Sequence, residues 1–330
     1  MERIISYNEL PNGNGRSIYI KMNDTDPNLY VNLLNKGYKL IHNNIYADSS
    51  TIYVTCRREL TIDDYEKTIE DSFKDKNIFK PTTYKFSLES LKNKKYQLPF
   101  VFKNESINGG KEKFLIETEN DYNNLIKACE DLINIDSLYN SKNYNKYLND
   151  NFVIQEYIET PSKYNTTVRL LTSSSGDLLY GSLKYNKPEE YKDDTTLLGY
   201  FLNDIYPLST KSIVSNTFSG GENILLGKDK YLEEEKELLN SHNIDSDSFN
   251  NLIEISKDIH KEYKNILGVI CGFDYIYDKE KEKWFLLEYH SKPMVGDYST
   301  RQNINYTAES DKITAEGRVR ATALNLVLKK

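Results

Sequence analysis

Apolar positions recur along this chain in two rhythms. Short aromatic and β-branched runs with alternating or near-continuous apolarity predict strands at Ser17 to Ile20, Tyr38 to Ile41, Thr51 to Cys56, Phe100 to Lys103 and Phe114 to Ile116. Phe152 to Ile158, Thr166 to Thr172 and Leu178 to Tyr185 read the same way. Helical spacing predicts a short helix from Leu29 to Leu34 ending at Gly37, and a charged one opened by Thr61-Ile62-Asp63-Asp64 that runs to about Phe73. An acidic-capped helix spans Glu119 to Asp131, and residues 230–266 carry helical periodicity rich in Glu and Lys. The polar stretch 137–150 reads as a loop insert. Pro11-Asn12-Gly13-Asn14-Gly15 reads as a flexible loop and is no dinucleotide fingerprint, because no strand precedes it in the required order. Helices and strands intermix without a strict βαβ rhythm, and no internal repeat is seen. An α+β class is therefore expected.

The most informative pattern lies between Phe273 and His290. Phe273-Asp274-Tyr275-Ile276-Tyr277-Asp278 and Trp284-Phe285-Leu286-Leu287-Glu288-Tyr289-His290 flank the charged turn Lys279 to Lys283, which predicts a β-hairpin. With the turn centred on Lys281, Asp274 and Glu288 stand equally far from it and become cross-strand neighbours, with Cβ atoms roughly 5 Å apart. His290 lies two residues beyond Glu288 and points to the same face. Like charges placed so destabilise a strand pair unless a cation sits between them, and a hard divalent ion held by carboxylate oxygens would remove the penalty. A solvated hairpin face with unpaired acids is the competing reading.

Composition narrows the classes. The 330 residues are enough for two or three compact units, and 27 Tyr and 12 Phe add buriable area to a hydrophobic fraction of only 38%. A net charge of -7 argues against a general nucleic-acid binder. Cys56, Cys129 and Cys271 are far apart and without CxxC spacing, which favours reduced thiols over a disulfide frame or zinc site. MERIISYNEL has no apolar signal region, and no run approaches the ~18 apolar residues of a membrane span. A cytoplasmic protein that engages neither membrane nor nucleic acid is expected.

Several positions carry candidate chemistry. Lys103 ends an apolar strand before the Gly109-Gly110-Lys111-Glu112-Lys113 turn, where a lysine and glycine N–H groups can reach phosphate oxygens; an ordinary surface lysine fits as well. Val153-Ile154-Gln155-Glu156-Tyr157-Ile158 leads into a polar pair whose backbone could meet an adenine edge, with Glu156 or a nearby side chain on the exocyclic amine or ribose. An amphipathic strand is the plainer reading. Arg169 and Lys184 are interior to the next two strands, a hairpin turning at Ser174 to Asp177. Buried cations need an anionic partner, a ligand or an internal carboxylate. Ser212 to Asn216 and Ser219-Gly220-Gly221-Glu222-Asn223 form a small-residue loop suited to ligand approach or to plain solvent exposure.

In this order, lysine strand, Gly-rich turn, Gln-Glu-Tyr-Ile strand, arginine strand, Ser-Asn and Gly-Gly loop, then Asp strand and Glu-x-His strand, the chain resembles the ATP-grasp superfamily from about Tyr84 to Tyr298. It looks most similar to the branch with ribosomal-protein glutamate ligases and D-alanine–D-alanine ligases. The resemblance implies two α+β subdomains clamping ATP, a small lid over about 81–157 and a large catalytic part over 158–330, together forming an ATP-grasp domain 81–330. A small N-terminal α/β domain, 1–80, would precede them. It further implies an acylphosphate formed from a carboxylate and passed to an amine on a small molecule or peptide, and it allows for a homodimer. Lys103 would contact the α and β phosphates, with Lys113 assisting. Gln155, Glu156 and Ile158 would form the adenine hinge, and Arg169 and Lys184 would face the triphosphate or acylphosphate. Asn216 would line the phosphate or metal site. Asp274 and Glu288, with His290, would hold Mg²⁺, or Mn²⁺ in its place. Lys292 and Arg301, past the metal motif, are candidates for anchoring the carboxylate substrate.

The chain departs from the family at one position. The family pattern is Glu-x-Asn, where this chain has Glu288-Tyr289-His290, and imidazole is a softer ligand than an amide oxygen. His290 is open to four readings: substrate contact, γ-phosphate contact, altered metal preference, or a structural substitution. Residues 1–80 lack a family fingerprint. Two other function classes remain: a phosphotransferase, which would leave a stable phosphorylated product, and a non-catalytic nucleotide-binding scaffold, which would bind without turnover. The scattered histidines and cysteines form no nucleophile constellation.

Overall fold

The computed structural model describes residues 11–15, 17–21, 33–41, 52–55, 62–106, 111–139, 143–160, 165–186, 196–209, 222–226, 232–267, 270–278 and 280–290. Three sheets are present among them. β1 (Ser17–Lys21), β2 (Lys39–Ile41) and β3 (Ile52–Thr55) form a parallel sheet in the order β2-β1-β3. β4 (Ile78–Phe79) belongs elsewhere: it pairs in parallel with β13 (Lys283–His290) at the edge of a six-stranded sheet. That sheet also contains β9 (Thr166–Ser173), β10 (Leu178–Tyr185), β11 (Glu222–Leu226) and β12 (Ile270–Asp278), in the order β11-β10-β9-β12-β13-β4. The third sheet is antiparallel, with β5 (Thr83–Lys85), β6 (Phe100–Asn104), β7 (Lys113–Ile116) and β8 (Phe152–Glu156) in the order β5-β8-β6-β7. The α+β class expected from the sequence is what the structure holds.

Side-chain alternation explains how the two larger sheets are covered. On β12, Phe273, Tyr275 and Tyr277 point to one face, where they pack with Phe73 and Ile69 of the Ile62–Asp75 helix and with Phe249, Leu252 and Ile259 of the Ser246–Glu262 helix. Polar tips in this core are satisfied. The Tyr275 hydroxyl lies 2.7 Å from Ser256 Oγ, and Trp284 Nε1 donates to Ser248 Oγ at 2.9 Å. Every residue of β12 is buried, so its opposite face, with Asp274 and Ile276, is covered too. The four-stranded sheet repeats the arrangement. Phe100, Phe102, Phe114 and Ile154 pack on Tyr122, Leu125, Cys129 and Leu132 of the Glu119–Tyr139 helix, and on Leu198, Phe201 and Leu202. A small cluster of Ile158, Ile276 and Phe285, with Phe79 and Leu287 against it, lies where the two sheets meet.

Several boundaries differ from the sequence reading. The Glu119 helix continues to Tyr139, and the stretch expected to be a loop insert contains a second helix, Tyr144–Asn151, capped by Asn143 Oδ1 on Lys146 N–H. β8 stops at Glu156 rather than Ile158. Glu222 and Asn223, expected in a glycine-rich loop, open β11. Among the described residues no helix is long and apolar enough to cross a membrane.

Candidate active site

The cleft is built from the faces of the two larger sheets that turn away from their helices. Register places its charged side chains. On the six-stranded wall, Asp274 of β12 is paired with Arg169 of β9 on one side and with Glu288 of β13 on the other, so three charged residues stand in one row across three strands. Lys184 of β10 is paired with Thr167, two residues from Arg169, on the same face of the sheet. On the four-stranded wall, Lys103 of β6 and Lys113 of β7 are direct cross-strand partners, and Val101 faces Gln155 of β8.

The acid pair is in the register that the sequence predicts, by an unforeseen route. From Asp278–Lys283 to Tyr275–Leu286 the ladder is offset by one from a turn centred on Lys281. Carried on, that register would set Leu287 opposite Asp274 and turn Glu288 toward the helices. A β-bulge between Leu286 and Glu288 absorbs the extra residue. Leu287 and Glu288 therefore both line the cleft, although they are consecutive on one strand.

The lining brings together Lys103, Lys113, Gln155, Glu156, Ile158, Arg169, Lys184, Asp274 and Glu288, nine of the residues singled out from the sequence, in a space of about 970 Å³ counted to its open mouth. It adds Val101, Tyr157, Asn165, Thr167, Ile276 and Leu287, which motif reasoning missed. Their alternation on strands already assigned to the site is the signal that could have found Thr167 and Ile276. His290 lies beside Glu288, its Nε2 3.3 Å from Glu288 Oε1. Asn216, Lys292 and Arg301 lie outside the described residues.

The two ends of the cleft differ in character. Val101, Ile158, Ile276 and Leu287 give one part an apolar surface. Four cations and the Asp274–Glu288 pair occupy the rest, a mix usual for ligand pockets. Cations outnumber carboxylates in this lining, four to three, in a chain whose net charge is -7. The third carboxylate, Glu156, is turned away: it accepts from Thr82 N–H at 3.1 Å and pairs with Lys281 at 3.6 Å. Gln155 Nε2 likewise donates to Thr83 Oγ1 at 3.0 Å. Tyr157 and Ile158 follow the last paired residue of β8, beyond the ladder.

Arg169 grips Asp274 with a two-pronged fork, Nε donating to Oδ1 at 2.6 Å and an Nη donating to Oδ2. This ion pair supplies the compensation that the facing acids require, so Asp274 is stable in the fold without any ligand. Burial alone would raise the Asp274 carboxyl, but the charges of Arg169 and Lys184 and the hydrogen bonds from Arg169 outweigh it and hold it below the ordinary range. Glu288 behaves alike. Its side chain is 46% exposed, so the walls around it oppose ionisation only in part, and His290, Lys113 and Arg169 overcome this and depress the carboxyl. Lys103 shifts the other way, lowered by burial and by Lys113, with Glu105 and Glu288 in partial opposition. Lys113 and Lys103 thus feel Glu288 across the cleft.

The loop joining β6 and β7 is clamped at both ends. Asn104 N–H donates to the Glu112 carbonyl at 2.9 Å, and Asn104 Nδ2 to Glu112 Oε2 at 2.7 Å. The Tyr147 hydroxyl donates to the same carboxylate oxygen at 2.7 Å. Glu112 sits at φ 51°, in the left-handed region, and is buried. This network fixes where the glycine-bearing loop leaves and re-enters the sheet, next to Lys103 and Lys113.

No protein-family model and no curated protein matches the chain. Among solved structures, it is similar to the ATP-grasp ligase PsnB complexed with precursor peptide PsnA2 and AMPPNP, at 9% identity and TM-score 0.41 over 93% of this chain and 79% of that one. Against PsnB with a minimal precursor the chain spans 65% of the other's length. A D-alanine–D-alanine ligase from Bacillus anthracis complexed with ATP aligns at 10% identity and TM-score 0.37, over 94% of this chain and 98% of that one. The biotin carboxylase domain of Hydrogenobacter thermophilus 2-oxoglutarate carboxylase, with MgADP, aligns at 12% and 0.38, over 82% and 48%. Likeness this distant transfers no residue role, so the chemistry of the cleft has to carry the function.

Proposed function

We propose that this chain is an ATP-dependent ligase that activates a carboxylate as an acylphosphate and couples it to an amine. The carrying observation is the convergence of Lys103 and Lys113 from one sheet with Arg169 and Lys184 from another, facing Asp274 and Glu288 beside an apolar surface. Two lysines directly opposite each other on β6 and β7 repel, and polyphosphate oxygens would relieve that pair. Arg169 already balances Asp274, so a divalent ion would use the carboxylate lone pairs that the fork leaves open on Asp274 and Glu288.

In this reading the base lies against Val101, Ile158, Ile276 and Leu287. Backbone groups of residues 156–158 meet its edge, because the side chains of Gln155 and Glu156 are engaged by the β5 segment. Lys103 and Lys113 hold the α and β phosphates. Arg169 and Lys184 stabilise charge on the transferred phosphoryl group and then on the acylphosphate. Asp274, Glu288 and His290 would hold the ion, which supplies charge neutralisation between phosphate oxygens. The substrate carboxylate attacks the γ-phosphorus and ADP leaves. The amine then attacks the acyl carbon and inorganic phosphate leaves. Asn216 and Arg301 keep the roles that the resemblance implies, at the phosphate site and the carboxylate substrate respectively. The four-stranded unit would close as a lid on the six-stranded one, to which the Ile62–Asp75 helix and β4 contribute.

ADP release with pooled amino acids and peptides tests the reaction class. A ligase releases ADP and phosphate only when acid and amine are both present. A stable phosphorylated product would make the chain a kinase, and binding without turnover would make it a scaffold.

A further inference from the structure

Among the described residues, one group of His, Cys, Asp or Glu side chains can close on a metal ion: Asp274, Glu288 and His290, with candidate ligand atoms all within 4.8 Å of one another. Its members are not equivalent. Both Asp274 oxygens already accept from Arg169, so each has only one further lone pair to offer. Glu288 lines the cleft and His290 lies beside it; both are partly exposed, and His290 Nε2 is 3.3 Å from Glu288 Oε1. Adjacent ligands of an octahedral ion at ~2.1–2.2 Å stand about 3 Å apart, so an ion fits on this edge with small side-chain movements. The edge pairs a carboxylate oxygen with an imidazole nitrogen, a donor set that Mg²⁺ takes poorly and that first-row transition ions take readily. Deepening the proposed nucleotide site and resting on that reading, we infer that His290 is a direct nitrogen ligand that tunes this site to Mn²⁺-like transition ions over Mg²⁺.

The test uses the full chain with Mn²⁺ and a non-hydrolysable ATP analogue, read by pulsed electron paramagnetic resonance. The wild type should show ¹⁴N coupling of directly bound imidazole. Labelling the protein with ¹⁵N-histidine should convert that signal, which separates it from adenine nitrogen. His290→Asn should lose the signal and weaken Mn²⁺ binding ~10-fold or more, with Mg²⁺ binding changed much less. Because His290 is partly exposed, the variant should fold, and its melting curve verifies this. Bound Mn²⁺ and nucleotide without histidine coupling would overturn the inference and leave the nucleotide reading standing. Histidine-coupled Mn²⁺ without nucleotide binding would uphold the inference and overturn that reading.

Discussion

Replacing Arg169 with methionine keeps most of the apolar stem and removes the fork that holds both oxygens of Asp274. The side chains of the pair are only 14% and 11% exposed, so little solvent replaces the lost partner. Removing one member of a buried ion pair typically costs ~3–5 kcal/mol, and Lys184 moderates the loss here, so about 3 kcal/mol is expected. That corresponds to a fall in melting temperature of roughly 5–10 °C for the unit containing the six-stranded sheet. The double variant Arg169→Met/Asp274→Asn removes the stranded charge and should recover ~1–2 kcal/mol. Acidity gives a second readout. In the wild type the Asp274 carboxyl is depressed, so its contribution is present above the unfolded value of ~3.9 and is lost as pH falls through the lower folded value. Without Arg169, Lys184 still opposes burial, and the carboxyl rises from its depressed value. The penalty of the variant is then full at pH 8, where the carboxyl is ionised, and shrinks on acidification through the carboxylate range toward pH ~3.9. Differential scanning calorimetry of the three proteins at both pH values measures all of this. A loss under ~1 kcal/mol that ignores pH, or a double variant no better than Arg169→Met, would refute the reasoning.

Other expectations follow from the same contacts. Phe73, 1% exposed and edge-on to Phe273 at 5.6 Å, anchors the Ile62–Asp75 helix to the large sheet, so Phe73→Ala should cost ~3–5 kcal/mol in chemical denaturation. Glu112→Ala removes the carboxylate that accepts from both Asn104 Nδ2 and the Tyr147 hydroxyl, leaving the bond between those two at 2.9 Å; it should destabilise by ~1–2 kcal/mol and weaken nucleotide binding in a fluorescence titration. Lys103 loses its proton at lower pH than an ordinary lysine, so nucleotide affinity should decline on the alkaline side of neutrality, and Lys103→Arg should flatten that decline.

Much of this site could be read from the sequence because strand alternation is a local code. Aromatic runs around a charged turn predict Asp274 and Glu288 as cross-strand neighbours, a pairing that the bulge restores, and interior cations mark Arg169 and Lys184. What was not legible depended on distant pairing. Nothing in Leu286-Leu287-Glu288 announces a bulge, since the ladder offset is set by the turn and by the need to bury Leu286 and Trp284 with Tyr275. The partner of Arg169 is 105 positions away. Two-residue β4 is too short for any periodicity, and its pairing with β13, more than 200 positions away, is visible only in the fold. His242 and His260, scattered in the sequence, prove to be buried, their Nδ1 atoms 2.9 Å from Thr166 Oγ1 and 2.7 Å from Thr172 Oγ1. Only the fold shows that they are satisfied core residues.

The proposed function requires this cleft to take a nucleoside triphosphate with a divalent ion. Calorimetric titration of the wild type with a non-hydrolysable ATP analogue, with Mn²⁺ or Mg²⁺ and with chelator alone, tests it most directly. One site per chain is expected, with loss of most affinity with chelator and loss in Lys103→Met and Lys184→Met variants that still fold. Absence of ion-dependent nucleotide binding by the folded wild type, or binding unchanged in both variants, would contradict it.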